Sequence, residues 1–379
     1  MARGPDATGG GAGFSLSDQL FNPRTVRQLA AEHAVLPGFD AERFEAEALA
    51  GFEGRTLLGR LDWLASCLEA QLPGDFPDMA DALQAAMPPP LDPSLTDDDF
   101  GQFIHAVPGI LAVRHGLEDH RDRAFDLLHA ATRRFSMEFY IRPFLNRWPE
   151  ETLGRLALWA EDENYHVRRL VSEGTRPTLP WAARITLDPL RPLPLLDRLH
   201  ADPTRYVTRS VANHLNDVSK IAPDAVTARL RAWQDAGRQT PREIDWMTRH
   251  ALRTAVKRGE VDALRLLGFD PDAEVAVTLD LPARVAIGDA LDIVVGIDGV
   301  RLLRALVDYR VVFHRPAGRS GEKVFKLGQG DVTPGATLTL KKAHRLKAAA
   351  STFTWHPGPH RLVVQVNGVD RAAAPFEVV

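Results

Sequence analysis

The sequence predicts a multidomain protein in which an all-α solenoid of repeated helix pairs is followed by an all-β sandwich. Three observations lead to this fold class. The chain has 379 residues, which is long for a single core. Its middle repeats a helical pattern at a fixed interval, and its C-terminal part alternates between apolar and polar positions.

The helical repeat is visible in three groups of residues spaced 40 positions apart. The groups are Val167, Arg169 and Val171; Val207, Arg209 and Val211; and, more loosely, Met247, Arg249 and Ala251. Prolines with acidic or capping neighbours, as in Thr240-Pro241, mark the starts of these units. A two-helix unit of about 40 residues is typical of HEAT or armadillo repeats, which stack into a solenoid with a concave binding surface. We therefore predict a HEAT-like domain over residues 14–270.

The N-terminal residues give little indication of function. Residues 14 to 130 carry apolar positions at helical spacing, with short breaks at Gly and Pro, and we expect them to serve packing. Residues 1–13, MARGPDATGGGAG, contain no apolar stretch. They are predicted to form a disordered tail rather than a secretory signal.

The pattern changes after Asp270. Seven short segments alternate in polarity, are rich in β-branched residues and are separated by Gly, Pro and Asp: Val275 to Leu281, Leu291 to Ile297, Leu306 to His314, Lys323 to Leu327, Thr337 to Leu340, Arg361 to Asn367, and Phe376 to Val379. About seven strands in such a length are typical of an immunoglobulin-like sandwich, which we predict over residues 273–379.

Composition excludes several classes of protein. Hydrophobic residues make up 45% and charged residues 25%, and no apolar run approaches the roughly 18 to 20 residues of a membrane span. Cys67 is the single cysteine, which excludes an intramolecular disulfide framework and fits a reducing cytoplasm. The 13 histidines lie scattered without metal-ligand spacing. We predict no metal, no cofactor and no membrane contact, and we expect a cytoplasmic monomer.

The charge distribution is uneven. Residues 165 to 258 contain 17 lysines and arginines against 9 aspartates and glutamates, a net charge of +8 within a chain of net charge −4. A basic middle in an acidic protein indicates a polyanionic partner. The alternative is an arginine-rich helical surface that is only solvated.

Three acids accompany these arginines: Glu138, Glu173 and Asp217. Glu173 and Asp217 fall at corresponding helix C-termini of adjacent repeats, and we expect them to face a common surface. The helix macrodipole disfavours a carboxylate there by about 0.5 kcal/mol, which indicates a role other than helix stability. The alternative is that all three form ordinary exposed ion pairs with nearby arginines. Trp181, after Pro180, is either a functional aromatic residue or a loop tryptophan packed on the solenoid.

Four sequence runs resemble the AlkC branch of HEAT-like alkylpurine DNA glycosylases. They are SMEFYIRPFL, HVRRL, SEGTRPTLPW and SVANHLNDVSK, and the resemblance covers about residues 14 to 260. Some members of that family carry an added immunoglobulin-like domain, which matches residues 273–379. Two departures stand out: Thr178 replaces an expected basic residue, and Tyr140 replaces a usually small one.

The resemblance implies excision of cationic N3-methylated bases, chiefly 3-methyladenine and 3-methylcytosine, from duplex DNA without base flipping. In that case Glu173 stabilises the deoxyribose as the glycosidic bond breaks, Glu138 and Asp217 complete the acidic site, and Trp181 contacts the lesion nucleotide. The implied DNA contacts are Arg142, Arg168, Arg169, Arg176, Arg209, Asn213 and Lys220. No lysine stands in the acidic site, so a Schiff-base lyase step is not expected. The alternative is a non-enzymatic HEAT-repeat scaffold that binds DNA or protein through the same basic surface.

Overall fold

The structure is a computed structural model that describes residues 15–95, 100–315, 321–348 and 353–379. The predicted disordered tail, residues 1–13, lies outside the described residues. The chain forms two compact units, Met1–His214 and Leu215–Val379. This division falls within the helix Arg205–Val218.

Helices form the first unit and continue into the second. The α-helices of the described residues are α1 (Leu16–Leu20), α2 (Pro23–His33), α3 (Ala41–Ala50), α4 (Leu57–Glu69), α5 (Phe76–Ala85), α6 (Val107–Gly116), α7 (Arg121–Thr132), α8 (Ile141–Arg147), α9 (Pro149–Trp159), α10 (Tyr165–Gly174), α11 (Leu193–Leu199), α12 (Arg205–Val218), α13 (Pro223–Ala236), α14 (Pro241–Lys257) and α15 (Val261–Leu266). A short 3-10 helix, Phe103–Ala106, precedes α6. None of the helices in these described ranges is long and apolar enough to cross a membrane.

Helix α10 is capped at its N-terminus and ends at a glycine. The side chain of Asn164 caps the N-terminus by accepting a hydrogen bond from the main-chain N–H of His166 at 2.9 Å. The last residue of the helix is Gly174. A Cβ at this position would lie 2.5 Å from the side chain of Ile141, so glycine lets the end of α10 pack closely against α8.

The predicted 40-residue recurrence falls on helices α10, α12 and α14. The apolar positions Val167, Val207 and Met247 are all fully buried, as expected for the inward face of each repeat. Helix α14 begins at Pro241 behind the capping residue Thr240, as predicted. The helical repeat fold is therefore confirmed.

The C-terminal part is the predicted sandwich of two β-sheets. Its strands are β1 (Val275–Asp280), β2 (Arg284–Val285), β3 (Ala290–Gly299), β4 (Leu303–Phe313), β5 (Gly321–Val332), β6 (Leu338–Arg345), β7 (Gly358–Val366) and β8 (Val369–Val378). One sheet has the order β1-β3-β6, and the other has the order β2-β8-β7-β4-β5. Strand β2, which pairs in parallel with β8, was not predicted because two residues cannot show alternation.

The core of the sandwich comes from the alternation that predicted the strands. Ile293 and Val295 of β3 pack in one apolar cluster with Tyr309 and Val311 of β4 and with Val364 of β7. Each of these side chains is buried while its chain neighbours point to the other face of the sheet. The two sheets therefore share a continuous core without a disulfide.

Within the second unit, the last helix packs against the sandwich. Leu264 and Phe269 form a buried apolar cluster with Leu306 of β4. The change from helix to strand therefore does not coincide with a break in packing. A domain boundary between residues 270 and 273 stays a prediction about where the type of secondary structure changes.

Asn367 strengthens this joint by hydrogen bonding. It lies in the turn between β7 and β8 with φ of 51°, and it is almost fully buried. Its Oδ1 accepts from the N–H of Leu306 at 2.8 Å. Its Nδ2 donates to the main-chain oxygens of Asp270 at 2.9 Å and Arg304 at 3.1 Å. One amide therefore links the segment after α15 to β4.

We expect Asn367→Gly to lower the free energy of unfolding by about 2 to 3 kcal/mol, because buried main-chain groups lose their partners. Glycine tolerates the left-handed backbone, so the loss reports on the hydrogen bonds rather than on strain. Urea unfolding measures it. Gln365→Ala is the control, since the amide of the half-buried Gln365 donates to the side chain of Asp370 at 2.7 Å rather than to a buried main-chain group. Equal stability of Asn367→Gly and wild type would contradict this role of Asn367.

Candidate active site

Glu173 lies in the last turn of α10 and is the centre of the candidate site. The residue is 5% exposed, although it carries a charge. Its Oε1 accepts a hydrogen bond from Nη1 of Arg176 at 2.6 Å, and its Oε2 lies 3.6 Å from Nη2 of Arg169. Glu173 therefore pairs with arginines, as the ion-pair alternative expects, but these pairs are buried rather than exposed.

Glu138 reaches the same arginine from the turn that precedes α8. Its Oε2 accepts hydrogen bonds from Nη1 of Arg169 and from Oγ of Ser136, the latter at 2.8 Å. Arg169 also donates to Ser136 at 2.9 Å. The guanidinium of Arg169 therefore bridges Glu138 and Glu173, which stand 35 positions apart in the sequence.

The two carboxyl groups are held in different electrostatic states. Burial by itself raises the pKa of Glu173, but Arg169, Arg176 and a hydrogen bond from Ser210 outweigh it and lower this pKa to about 2. Burial raises the pKa of Glu138, and the charge of Glu173 adds to this effect while Arg169 opposes it. Glu173 thus stays ionised throughout the physiological pH range.

An aromatic ring covers Arg169. The guanidinium carbon lies 4.9 Å from the ring centroid of Tyr206, a residue of α12, at a cation–π distance. Tyr206 in turn contacts Phe100, edge to face, at 5.4 Å between centroids. Phe100 is 52% exposed. The sequence predicts only a packing role for residues 14 to 130, so it does not reveal that Phe100 contacts Tyr206 beside the site.

Ser210 is a second residue that sequence reasoning missed. Its Oγ donates to Oε2 of Glu173 at 2.6 Å, and it accepts a hydrogen bond from Oγ of Ser172. Both serines are buried. The repeat is the one sequence signal that covers Ser210. It aligns Ser210 with Leu170, 40 residues earlier, and therefore does not predict that a hydroxyl group contacts Glu173.

Arg142 organises the loop after α10. It is 1% exposed, and it donates to the main-chain oxygens of Gly174 at 3.0 Å, Arg176 at 2.8 Å and Ala183 at 2.5 Å. A buried guanidinium with carbonyl partners does not fit the predicted phosphate contact. We therefore correct that prediction and assign Arg142 to support of the segment that carries Trp181.

Trp181 lies in this loop between α10 and α11. Its side chain is 64% exposed, which excludes the alternative of a tryptophan packed on the solenoid. Its backbone has φ of 66°, a left-handed conformation that is uncommon for a bulky residue. Exposure of a large aromatic side chain on a strained backbone is typical of a binding position.

The remaining arginines among the predicted DNA contacts differ in how far their guanidinium groups are already bonded within the protein. Arg168 forms a bidentate pair with Asp202 at 2.6 and 3.2 Å and also donates to main-chain oxygens, so a structural role fits it better than phosphate contact. Arg169 and Arg176 pair with the acids described above. Arg209 is half-buried, with its guanidinium 6.0 Å from the ring of Tyr206.

Asp217 and Lys220 belong to the second unit, at the end of α12. Asp217 is buried and accepts from Nζ of the exposed Lys220 at 2.9 Å. Asn213, on the same helix, is half-buried. The structure thus brings Glu138 and Glu173 together in the first unit and pairs Asp217 with a lysine in the second. The surface shared by Glu173 and Asp217 stays a prediction.

The structure shows the surroundings of Thr178 and Tyr140, the two residues that depart from the AlkC-like sequence pattern. Thr178 is exposed, so it offers no charge at a position where a basic side chain was expected. Tyr140 packs against Gly109 of α6, where a Cβ would lie 2.2 Å from the ring. The large residue is therefore accommodated by a glycine on the neighbouring helix.

Comparisons with known proteins agree with this architecture. The family described as "Uncharacterised protein YhaZ, C-terminal Ig-like domain" matches residues 275–379. The "Uncharacterized protein YhaZ" of Bacillus subtilis is 30% identical over 372 residues, which cover 95% of this chain and 98% of that protein. The alkylpurine DNA glycosylase AlkC of Pseudomonas fluorescens, solved bound to DNA containing an abasic site analog, is 32% identical. That structure superposes with a TM-score of 0.82 and covers 96% of this chain and 99% of its own.

We expect the stability contributed by Glu173 to depend on pH. Its folded-state pKa lies below the ordinary value of 4.5, so the ionised group stabilises the fold above about pH 4.5 and loses this effect as the pH falls toward about 2. Glu173→Gln should cost on the order of 3 kcal/mol at pH 7, and less as the pH falls from 5. Urea unfolding between pH 7 and 3 measures the difference. Glu163→Gln, at an exposed position, should show no such trend.

Proposed function

This chain belongs to the family of AlkC-type alkylpurine DNA glycosylases, and from that premise we propose that it is a DNA glycosylase. Its proposed substrates are cationic N3-methylated bases, 3-methyladenine and 3-methylcytosine, in duplex DNA. The proposed reaction is hydrolysis of the N-glycosidic bond. The observation that carries the proposal is Glu173, an ionised carboxylate buried at a helix end within the basic middle of the chain.

The chemistry of a cationic base explains why an ionised carboxylate is the group required. A base that already carries a positive charge leaves without protonation, so a general acid is not needed. The deoxyribose becomes oxocarbenium-like as the bond breaks, and a fixed negative charge near it lowers the barrier. The pKa of about 2 keeps Glu173 charged for this purpose at every physiological pH.

Glu138 and Asp217 complete the proposed acidic site. One of the acids orients the attacking water, which adds to the sugar as the base departs. Glu138 is suited to a proton-handling role because burial raises the pKa of its carboxyl group. In this mechanism the base stays in or near the stack, unlike in glycosylases that flip the lesion into a pocket.

Arg176 must change partner for Glu173 to act. Its Nη1 donates a hydrogen bond to Oε1 of Glu173 at 2.6 Å. Arg176 follows the end of α10, on a segment without helical structure, whereas Arg169 lies on the helix itself. We propose that a DNA phosphate draws Arg176 from the carboxylate, so that duplex binding uncovers the charge that faces the sugar.

Trp181 is proposed to contact the lesion nucleotide, with Arg209, Asn213 and Lys220 contributing to the DNA surface. The exposure of Trp181 and Lys220 supports these assignments. Arg142 and Arg168 support the site from within. A scaffold that binds the same duplex without reacting is the competing function, and base release separates the two.

We expect Glu173→Gln to reduce release of 3-methyladenine by about 100-fold or more, because the substitution removes the charge that the sugar needs. Purified protein is incubated with methylated duplex DNA, and free base is measured by chromatography. Fluorescence anisotropy with undamaged duplex serves as the binding control, and affinity should stay within about 3-fold of wild type.

The outcomes separate the hypotheses. If the wild-type protein binds duplex DNA but releases no base, the scaffold function is correct and the glycosylase proposal is wrong. If Glu173→Gln retains full activity, the placement of the site is wrong. Glu163→Gln, which removes an exposed carboxylate, should behave as wild type in both assays.

We expect Trp181→Ala to weaken binding to lesion-containing duplex by about 10-fold, a typical loss for one aromatic contact with a nucleotide. Leu158→Ala is the matched control because Leu158 is a comparably exposed apolar residue on α9. Titration of both variants with lesion and undamaged duplexes gives the comparison. Equal affinities for Trp181→Ala and Leu158→Ala would remove Trp181 from the DNA contact.

A further inference from the structure

The carboxylate of Glu173 has two oxygens in different surroundings. Oε2 accepts from Oγ of Ser210 at 2.6 Å and lies 3.6 Å from Arg169. Oε1 accepts from Arg176. Ser210 and Arg169 lie on helices α12 and α10, whereas Arg176 lies beyond the end of α10. One oxygen is therefore held by two helices, and the other is held from a loop.

The hydroxyl of Ser210 is itself held in place. It has one proton, which it donates to Glu173, and its oxygen accepts from the hydroxyl of Ser172. Ser172 and Ser210 are both buried. Two hydroxyl groups in series that end on a carboxylate polarise one another, and the charged end strengthens each bond.

A third contact fixes the spacing of the two helices at this point. Nδ1 of His214, one turn after Ser210 on α12, lies 3.0 Å from the main-chain oxygen of Ser172. Because a carbonyl oxygen only accepts, this nitrogen is the donor. Ser172 is thus bonded to α12 through its side chain and its main chain, directly before Glu173.

We propose that Ser210 is a positioning residue that selects the reactive oxygen of Glu173. Its hydroxyl, backed by Ser172, holds Oε2 against α12, so that Oε1 is the oxygen presented to the deoxyribose once Arg176 leaves. This role rests on the proposed glycosylase function and adds to it the orientation of the catalytic carboxylate. Ser210 acts only through Glu173 and touches no substrate.

The hydrogen bond from Ser210 to Glu173 also has an electrostatic effect that favours the proposed chemistry. It stabilises the ionised form of Glu173, and it is among the contacts that hold the pKa of this carboxyl group low. A side chain that served only packing would not need a hydroxyl at this place. Alanine fills most of the same volume, so removal of the oxygen tests the proposal directly.

Ser210→Ala should lower the single-turnover rate of 3-methyladenine release at saturating protein by about 10- to 100-fold, as expected for loss of a hydrogen bond to a charged group. Affinity for undamaged duplex should not change, because Ser210 is buried. Ser172→Ala should reduce the rate in the same direction by a few-fold. Thr132→Val is the matched control, since this buried hydroxyl donates instead to the main-chain oxygen of Leu128 at 2.7 Å.

The decisive arm is the double variant. If Ser210 acts through Glu173, Ser210→Ala should cause no further loss of rate in the Glu173→Gln background. An additive loss, or a single variant with the rate of wild type, would overturn the positioning role. A wild-type protein that releases no base would overturn the proposed function and this role with it.

Thermal melting checks that the variants are folded. If Ser210→Ala melts at a lower temperature than wild type, Ser210→Cys is the second variant, because it retains a weak donor of similar size and should give an intermediate rate.

Discussion

The candidate site depends on one guanidinium group shared by two carboxylates. Arg169 contacts Glu138 on one side and Glu173 on the other, and the ring of Tyr206 covers it. Without this cation, two acids in a poorly solvated place would repel each other and one would be protonated. With it, Glu173 stays ionised while buried, which is the condition that the proposed chemistry needs.

This arrangement is expensive for a fold. Buried ion pairs seldom stabilise a protein more than well-packed apolar residues, because desolvation offsets their attraction. The residues that hold these charges come from several elements. The turn before α8 carries Glu138, α10 carries Arg169 and Glu173, and α12 carries Tyr206 and Ser210. An enzyme needs a carboxylate held at a fixed position beside the reacting sugar, and this arrangement holds one. A scaffold that only binds DNA does not need a buried carboxylate.

The internal use of arginine also changes the meaning of the charge count. The basic middle region predicts a polyanionic partner, but several of its guanidinium groups have partners inside the protein. Arg168 pairs with Asp202, and Arg169 and Arg176 pair with acids. The same holds just before this region, where Arg142 bonds to carbonyl oxygens. Asp202 and Glu173 are among the nine acids already subtracted in the net charge of +8, so these pairs lower the number of guanidinium groups available for phosphate contacts rather than the net charge. That number grows if DNA binding releases a group such as Arg176.

Sequence alone determined the fold class and most of the strands, and it proposed three acids, of which the structure brings Glu138 and Glu173 together. The recurrence at 40 residues placed buried apolar residues on α10, α12 and α14, capping located the start of α14, and alternation located the sandwich, because these signals are local. Tertiary structure decided the partners. Ser210, Tyr206 and Phe100 come to the site from distant positions in the sequence. Arg142 is buried by carbonyl groups that lie more than 30 residues away in the sequence. No local pattern records such contacts, since the free energy of burying a charge depends on groups that only the fold brings together.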